Sequence, residues 1–462
     1  MPEKKLFHKN TVRSVHFRAL TRLFIPGRMT VFSICFFLAA GILLGGCDSA
    51  ILSEIFSPPT QESTPSATQP AITLPAEQTT ESQPTAKPDS QQLIIWLPPQ
   101  FSPQTNSKAG SLLKARLDEF TQQNPEVKIL IRTKALSGTG GLLDSLTSAS
   151  SVAPSVVPSL IALSRSDLES AALKELIFPI DSYTPALDGT DWYAYAQSLS
   201  IVDNISYGLP FAGDALLLAY RPGKIGSPPE GWAGILERGQ PVVFPAADPQ
   251  GLVTMALYRS AGGKIKDDQG KPFLDPDTLS DVLNLYADGA RQGGFPTWLS
   301  QYQTDAQAWQ AYTGQNANWA VTWSSRYLTE LPADTTAVPL PSLGDKDYSL
   351  ATGWIWAVSD PYPEQRALAV KLAEFLVNGE FFSKWSSSLN YLPVRPSTMT
   401  NWTNQSQRAS LEKIVQSAEV RPDSELSSIL GPLFSNATLE VIKNQKEPVP
   451  VAQEAAENLY KP

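Results

Sequence analysis

The 462 residues include 36 Lys and Arg against 45 Asp and Glu, a formal charge of −9, with 42% hydrophobic and 18% charged residues. Such a mildly acidic chain lacks the basic surface that phosphate neutralisation needs, which argues against nucleic acid as a partner. Its length exceeds the roughly 250–300 residues at which a single core stops growing, so at least two core-bearing domains are expected. The two Cys and two His, at Cys35, Cys47, His8 and His16, all lie in the first 47 residues. The remainder therefore has no thiol or Ser-His nucleophile, histidine base, zinc finger, iron–sulfur cluster or disulfide scaffold, and any catalysis is left to carboxylates.

At the N-terminus, Lys4, Lys5, Lys9, Arg13, Arg18, Arg22 and Arg28 stand against the single acid Glu3 and precede the apolar run Met29 to Leu44. This is the pattern of a signal peptide: a basic region, then an apolar stretch slightly short for a membrane span, ending in small residues. The closing tetrapeptide Leu44-Gly45-Gly46-Cys47 resembles the lipobox of bacterial lipoproteins. That resemblance implies cleavage after residue 46 and a lipid on Cys47; the alternative is an uncleaved anchor with an incidental Cys. Both put the body on the extracytoplasmic face of the cell membrane. Without residues 1–46 the chain has 29 basic and 44 acidic residues, a charge of −15. Acyl chains, not a basic patch, would then hold it at the bilayer.

Residues 47–92 read as the anchored Cys and a linker. Ser57 to Gln92 holds seven Pro and twelve Ser or Thr in 36 residues, too little apolar surface to fold. As a flexible coil it spans roughly 30–35 Å, more where its prolines extend it.

From Leu93 the texture changes to Leu93-Ile94-Ile95-Trp96-Leu97, a continuous apolar run that predicts a strand buried on both faces of a parallel sheet. Leu113, Leu117 and Phe120 recur at helical spacing up to Asn124-Pro125, and Val127-Lys128-Ile129-Leu130-Ile131 reads as the next strand. A helix through Leu142, Leu143 and Leu146, a strand Leu160 to Leu163 and a helix Ser166 to Leu173 continue a doubly wound α/β pattern. A second set begins with Ala215 to Tyr220 and Val242-Val243-Phe244. Gly138-Thr139-Gly140-Gly141 lacks the Lys-Ser or Lys-Thr of a phosphate loop and reads as a plain loop. Asp267-Asp268-Gln269-Gly270 reads as a hairpin turn rather than a calcium loop.

The order and spacing of several segments carry a resemblance: Tyr207-Gly208-Leu209-Pro210-Phe211 before a strand ending in Tyr220, Phe244-Pro245-Ala246-Ala247-Asp248-Pro249 before a helix ending at Gly262-Gly263, Ala320-Val321-Thr322-Trp323, Thr352-Gly353-Trp354-Ile355-Trp356-Ala357, and Tyr391-Leu392-Pro393-Val394-Arg395. Over Leu93 to Pro462 the chain resembles the family 1 extracellular solute-binding proteins, the maltose-binding type that serves bacterial ABC importers. The resemblance implies two doubly wound lobes joined by a hinge, lobe 1 over 93–212 with a return at about 345–392, and lobe 2 over 213–344 with a C-terminal helical segment at about 393–462.

A sugar site needs aromatic planes for stacking and carboxylates, amides or Arg for paired hydrogen bonds. By resemblance Trp323 and Trp354 fall where the family places cleft aromatics, with core packing as the alternative for each. Trp356 shares the strand face of Trp354, and one of that pair is expected to be buried. Asp214, beside Gly213, matches a solute-contacting acid or else caps an element at the hinge. Asp248 matches an acid near the solute, although Asp-Pro before a helix also predicts a cap. Ser164 and Arg165 leave a strand at its carboxyl end, where doubly wound sheets bind ligands; a surface Arg with Ser166 as helix cap is the alternative. Gln100 leaves the first strand on the same edge. In Pro154-Ser155-Val156-Val157-Pro158-Ser159-Leu160, Ser stands at two places where the family often has Asp, which leaves open a lost cap or a lost contact.

The resemblance implies a monomeric receptor, without cofactor or metal, that closes on a small polar solute such as a carbohydrate and delivers it to ABC permease subunits in the membrane. Two other classes stay open: a carboxylate-only glycoside hydrolase using Asp214 and Asp248, and a solute-free scaffold or sensor on the same fold.

Overall fold

The computed structural model describes residues 91–227, 231–402 and 404–461; the expected signal peptide, the lipidated Cys47 and the linker up to Ser90 lie outside the described residues. Gln91 and Gln92, read above as linker, open the first strand.

The strands in chain order are β1 (Gln91–Leu97), β2 (Val127–Thr133), β3 (Leu160–Ser164), the hairpin β4 (Ile201–Val202) and β5 (Ile205–Ser206), β6 (Gly208–Tyr220), β7 (Val242–Val243), β8 (Trp319–Trp323), β9 (Thr336–Pro339), β10 (Ser349–Val358) and β11 (Ala418–Val420). The main sheet runs β2-β1-β3-β10-β6-β8-β7, with β9 added to β6 and β11 to β10. Leu93 to Leu97 are buried, as a strand flanked on both sides must be.

One strand builds the division into two lobes. β6 is 13 residues long and buried throughout. Its first part pairs with β10, from Gly208↔Ala357 to Ala215↔Ala351. Its second part pairs with β8, from Leu216↔Trp323 to Tyr220↔Trp319, and with β9 on its other side. The sheet thus changes partners between Ala215 and Leu216, which divides it into a first sheet (β1, β2, β3, β10, β11 and the start of β6) and a second (β7, β8, β9 and the end of β6). The strand expected over Ala215 to Tyr220 in fact begins at Gly208 and runs unbroken through Pro210 and Gly213. Two glycines of this pairing are crowded by their neighbours: a Cβ at Gly213 would overlap the Tyr195 hydroxyl, and one at Gly353 would lie 2.5 Å from the Ala212 carbonyl and from Leu199 Cδ1.

The expected parallel sheet is realised only in part. β1 is parallel to β2 and β3, and β7 to β8, while β10 is antiparallel to β3 and β6, and β6 to β8. β6, the strand that passes from one part to the other, runs antiparallel to β10 in the first and to β8 and β9 in the second. β11, which no periodicity announces, lies parallel to the start of β10, Ser349↔Ala418 to Ala351↔Val420.

Helices cover both sheets. Lys108–Gln123 is capped by Ser107, whose side chain accepts the Gly110 amide, and it buries Leu113, Leu117 and Phe120. It packs against Pro363–Leu376 and Gly379–Ser386. Around the second sheet, Pro276–Gln292 starts at the Asp275 cap with Pro276 in its first turn and stops at Gly293, whose φ of 85° suits the left-handed end. Ser424–Ile442 and Pro448–Asn458 pack on it. The short helix Pro396–Asn401 still packs against Gly379–Ser386, and Ser397 donates to Asp191 from both its amide (3.0 Å) and its hydroxyl (2.6 Å); this part of the chain stays with the first sheet beyond residue 392.

Candidate functional site

The carboxyl ends of β1 and β3, the middle of β10 and the segment after Ser386 meet around one aromatic cluster. The buried Phe101 ring, just past β1, lies 5.1 Å from Trp354 at 81° and 5.5 Å from Tyr391. It also meets Phe211 edge-on at 5.0 Å. A bulge places Trp354 opposite Ala212 and Ile355 opposite Pro210, so Phe211 has no partner in the ladder and turns its ring onto Trp356 at 4.7 Å. Trp356 is 0% exposed, whereas Trp354 stays half-buried. The expected division of that pair is therefore Trp356 in the core and Trp354 at the edge.

The Tyr391 hydroxyl has the Trp354 indole and the exposed Gln100 as hydrogen-bonding neighbours, and Asp214 lies within electrostatic reach. Burial pushes its pKa up to about 12, with the Asp214 charge adding to the rise. At neutral pH it is a donor.

Asp214, in β6, is 9% exposed. Its Oδ1 accepts the Ser324 hydroxyl (2.7 Å) and the Ser325 amide (2.9 Å), and its Oδ2 accepts the Ser325 hydroxyl (2.6 Å). Desolvation raises its pKa to about 6, against the opposing hydrogen bonds from Ser325 and Ser324. Trp323 ends β8 directly before these serines and is half-buried. Together with Asp248, Asp305, Gln303 and Leu216 it lines a cavity of about 200 Å³. Asp248 accepts the amides of Gln250 (3.0 Å) and Leu252 (3.1 Å), the latter opening the helix Leu252–Ser260.

Ser164 and Arg165 are placed differently. Ser164 stands opposite Trp354 in the β3–β10 ladder, but its hydroxyl accepts the Asp167 amide and caps Arg165–Leu173, the role that Ser166 was expected to take. Arg165 is 8% exposed rather than a surface residue. It forms an ion pair with Glu169 at 2.8 Å and donates to the carbonyls of Leu199 (3.2 Å) and Ile201 (2.8 Å). Burial draws its pKa down and Glu169 opposes that shift.

Among the serines that replace the family's acids, the buried Ser159 receives the Ile94 amide at 3.4 Å, a local tie between β3 and β1. Four residues of the neighbourhood were not singled out from sequence: Phe101, Tyr391, Ser325 and Arg421. Tyr391 stood in the resemblance without a role. Arg421, just after β11, is drawn down in pKa by burial, opposed by Glu169 and Asp248; no periodic signal marks it. The Gly138 to Gly141 segment is a turn, as read, with Gly138 and Gly140 at φ 74° and 78°.

A model of the bacterial extracellular solute-binding proteins matches residues 115–409. The chain belongs to that family. Solved structures of solute-binding proteins share its fold at low identity. The cyclic α-maltosyl-1,6-maltose binding protein of Arthrobacter globiformis superposes with a TM-score of 0.65 at 14% identity, covering 80% of this chain and 98% of that one. The sugar-binding protein MalE of Xanthomonas citri gives 0.65 at 16%, covering 80% and 96%. An ABC transporter solute-binding protein of Thermotoga lettingae, bound with α-D-tagatose, gives 0.59 at 19%, covering 80% and 99%. No curated protein sequence matches the chain. Members of this solute-binding family are binding proteins, and the two-lobed α/β architecture described above is theirs.

Proposed function

We propose that the chain is an extracytoplasmic receptor that closes on a carbohydrate, or a similar small polar solute, and delivers it to the permease of an ABC importer while a lipid on Cys47 tethers it to the membrane. The observation that carries this reading is the convergence of Trp354, Tyr391, Gln100 and Asp214 beside the paired stretch of β6 and β10. An aromatic plane beside hydroxyl and amide groups suits the apolar faces and hydroxyl edges of a sugar. Trp323 and Asp248, sharing one cavity on the second sheet, offer a second plane and acceptor. Ser164 and Arg165 serve the same site from behind, by fixing the helix that follows β3. The bound sugars named for the similar structures, tagatose among them, point to the same class of solute. Closure transmits the signal: the solute shifts the open and closed populations only through its differential affinity for them.

The raised pKa of Asp214 is a feature that a carboxylate hydrolase would share. Its oxygens are taken by serine donors, however, and those of Asp248 by backbone amides, so both are read here as binding and positioning groups. Isothermal titration of the chain lacking residues 1–47 with maltose, maltotriose and tagatose tests the proposal. Saturable heat with one of them, lost in Trp354→Ala, supports it. Absence of heat with all three, or sugar products accumulating in the cell, contradicts it.

A further inference from the structure

Trp323 is held from both sides in sequence by acids that come from other elements. On its N-terminal side Thr322 donates its hydroxyl to Asp305 Oδ1 at 2.6 Å, and Arg326 pairs with the other oxygen of that acid. On its C-terminal side Ser324 and Ser325 donate to Asp214 through two hydroxyls and one amide. The Ser324 hydroxyl in turn accepts the Ala215 amide at 3.1 Å, so the turn after Trp323 is tied to β6 at two consecutive residues.

Trp323 occupies the cap position of Ser324–Glu330 and makes no side-chain capping bond. The carboxylate of Asp214, more than a hundred residues away in sequence, does this work instead by accepting the Ser325 amide. Ser324 is 0% exposed. An ionised carboxylate has about four acceptor directions, and three of them are spent here, which leaves little of Asp214 for a solute. The indole beside it remains half-exposed at the cavity that Asp248 shares.

We propose that Asp214 is a positioning residue: by holding Ser324 and Ser325 it fixes the Trp323 ring at the cavity, and it acts on the solute through that ring. This inference rests on the solute-binding reading above and assigns the acid a role within it. Gly and Ala at the two serine positions would lack the hydroxyls, so the device belongs to the pairing of Asp214 with Ser324 and Ser325.

The test uses the exported chain and two readouts. The first is affinity for maltotriose in Asp214→Ala, in the pair Ser324→Ala/Ser325→Ala, in Trp323→Ala and in their combinations. The second is amide hydrogen exchange of the segment 319–330 without any sugar. The expected result is about a tenfold loss of affinity in Asp214→Ala and in the serine pair, no further loss when they are combined, and none when Asp214→Ala is added to Trp323→Ala. Exchange over 319–330 rises in both, and Asp214→Asn, which keeps an acceptor for the Ser325 amide, restores most of the protection and the affinity. Additive losses overturn the proposal, because they place Asp214 on the solute itself. So does unchanged exchange in Asp214→Ala. Should maltotriose not bind the unmodified chain, the solute reading fails for that sugar, and exchange alone decides: lost protection over 319–330 supports the positioning role and retained protection overturns it. If Asp214→Ala does not fold, the serine pair and Asp214→Asn carry both readouts.

Discussion

Arg165 and Glu169 form a buried ion pair one helical turn apart, and the second oxygen of Glu169 leaves the helix to accept the amide (2.9 Å) and hydroxyl (2.7 Å) of Ser424. Ser424 opens the long helix Ser424–Ile442, which packs around the second sheet. The pair therefore ties the helix after β3 to a distant part of the chain. Removing one partner of a buried pair strands the other charge, so Glu169→Ala should cost about 3–5 kcal/mol in stability. Glu169→Gln, which keeps an acceptor for Ser424, should cost less. Urea unfolding of the two variants measures the difference.

Asp214 gives the stability a pH dependence of defined sign. Its folded pKa of about 6 stands above the ordinary 3.8 because burial disfavours the charge, with a smaller contribution from Asp305. The native state then holds the proton through a window in which the unfolded chain has released it. This contribution is fully present below pH 3.8 and is lost as pH rises through 6, an effect on the order of 2–3 kcal/mol. The stability of the unmodified chain relative to Asp214→Asn should fall between about pH 4 and pH 6 and stay level above. Parallel pH melts of the two proteins check this; a difference that rises with pH in that window contradicts it.

Gly213 has the Tyr195 ring against its backbone, and Tyr195 donates to the Pro393 carbonyl at 2.7 Å. A methyl group at residue 213 must push that ring aside. Gly213→Ala should lose about 1–3 kcal/mol, as overpacked sites do. Adding Tyr195→Phe relieves the overlap with the hydroxyl, so the double variant should lose less than the two single effects summed, which a chemical-denaturation cycle reads directly.

The two tryptophans of β10 should separate stability from binding. Trp356, 0% exposed and stacked on Phe211, should lose about 3–5 kcal/mol on replacement by Ala. Trp354→Ala removes a half-buried ring and should lose markedly less stability while abolishing detectable sugar binding. Melting curves and titration on the same two preparations decide it.

Much of the frame was legible in single segments. The run Leu93 to Leu97 announced a strand buried on both faces, and the alternation from Trp354 to Trp356 announced that the two rings share a side. What escaped was set by distant neighbours. β6 is continuous through Gly208, Pro210 and Gly213 because β10 pairs with it there, and the two glycines sit where a Cβ would meet the Trp356 carbonyl or Tyr195; Gly and Pro have low strand propensity, so local sequence does not announce it. β11 has three residues, too few for any period. The spacing of Arg165 and Glu169 is that of a helical ion pair and was the available sign that Arg165 is spoken for. The contact of Asp214 with Ser325 spans more than a hundred residues and has no local trace at all.

The central claim is that a small polar solute binds the native two-lobed body, and its most direct test is thermal unfolding of the chain lacking residues 1–47 against a panel of sugars, polyols and amino acids. A ligand that binds only the folded state stabilises it by about 2.7 kcal/mol at a hundred times its Kd. The account predicts a raised midpoint with one class of sugar, a smaller rise for that sugar in Trp323→Ala and none in Trp354→Ala. A midpoint that does not move with any carbohydrate, or that moves as far in both tryptophan variants as in the unmodified chain, contradicts it.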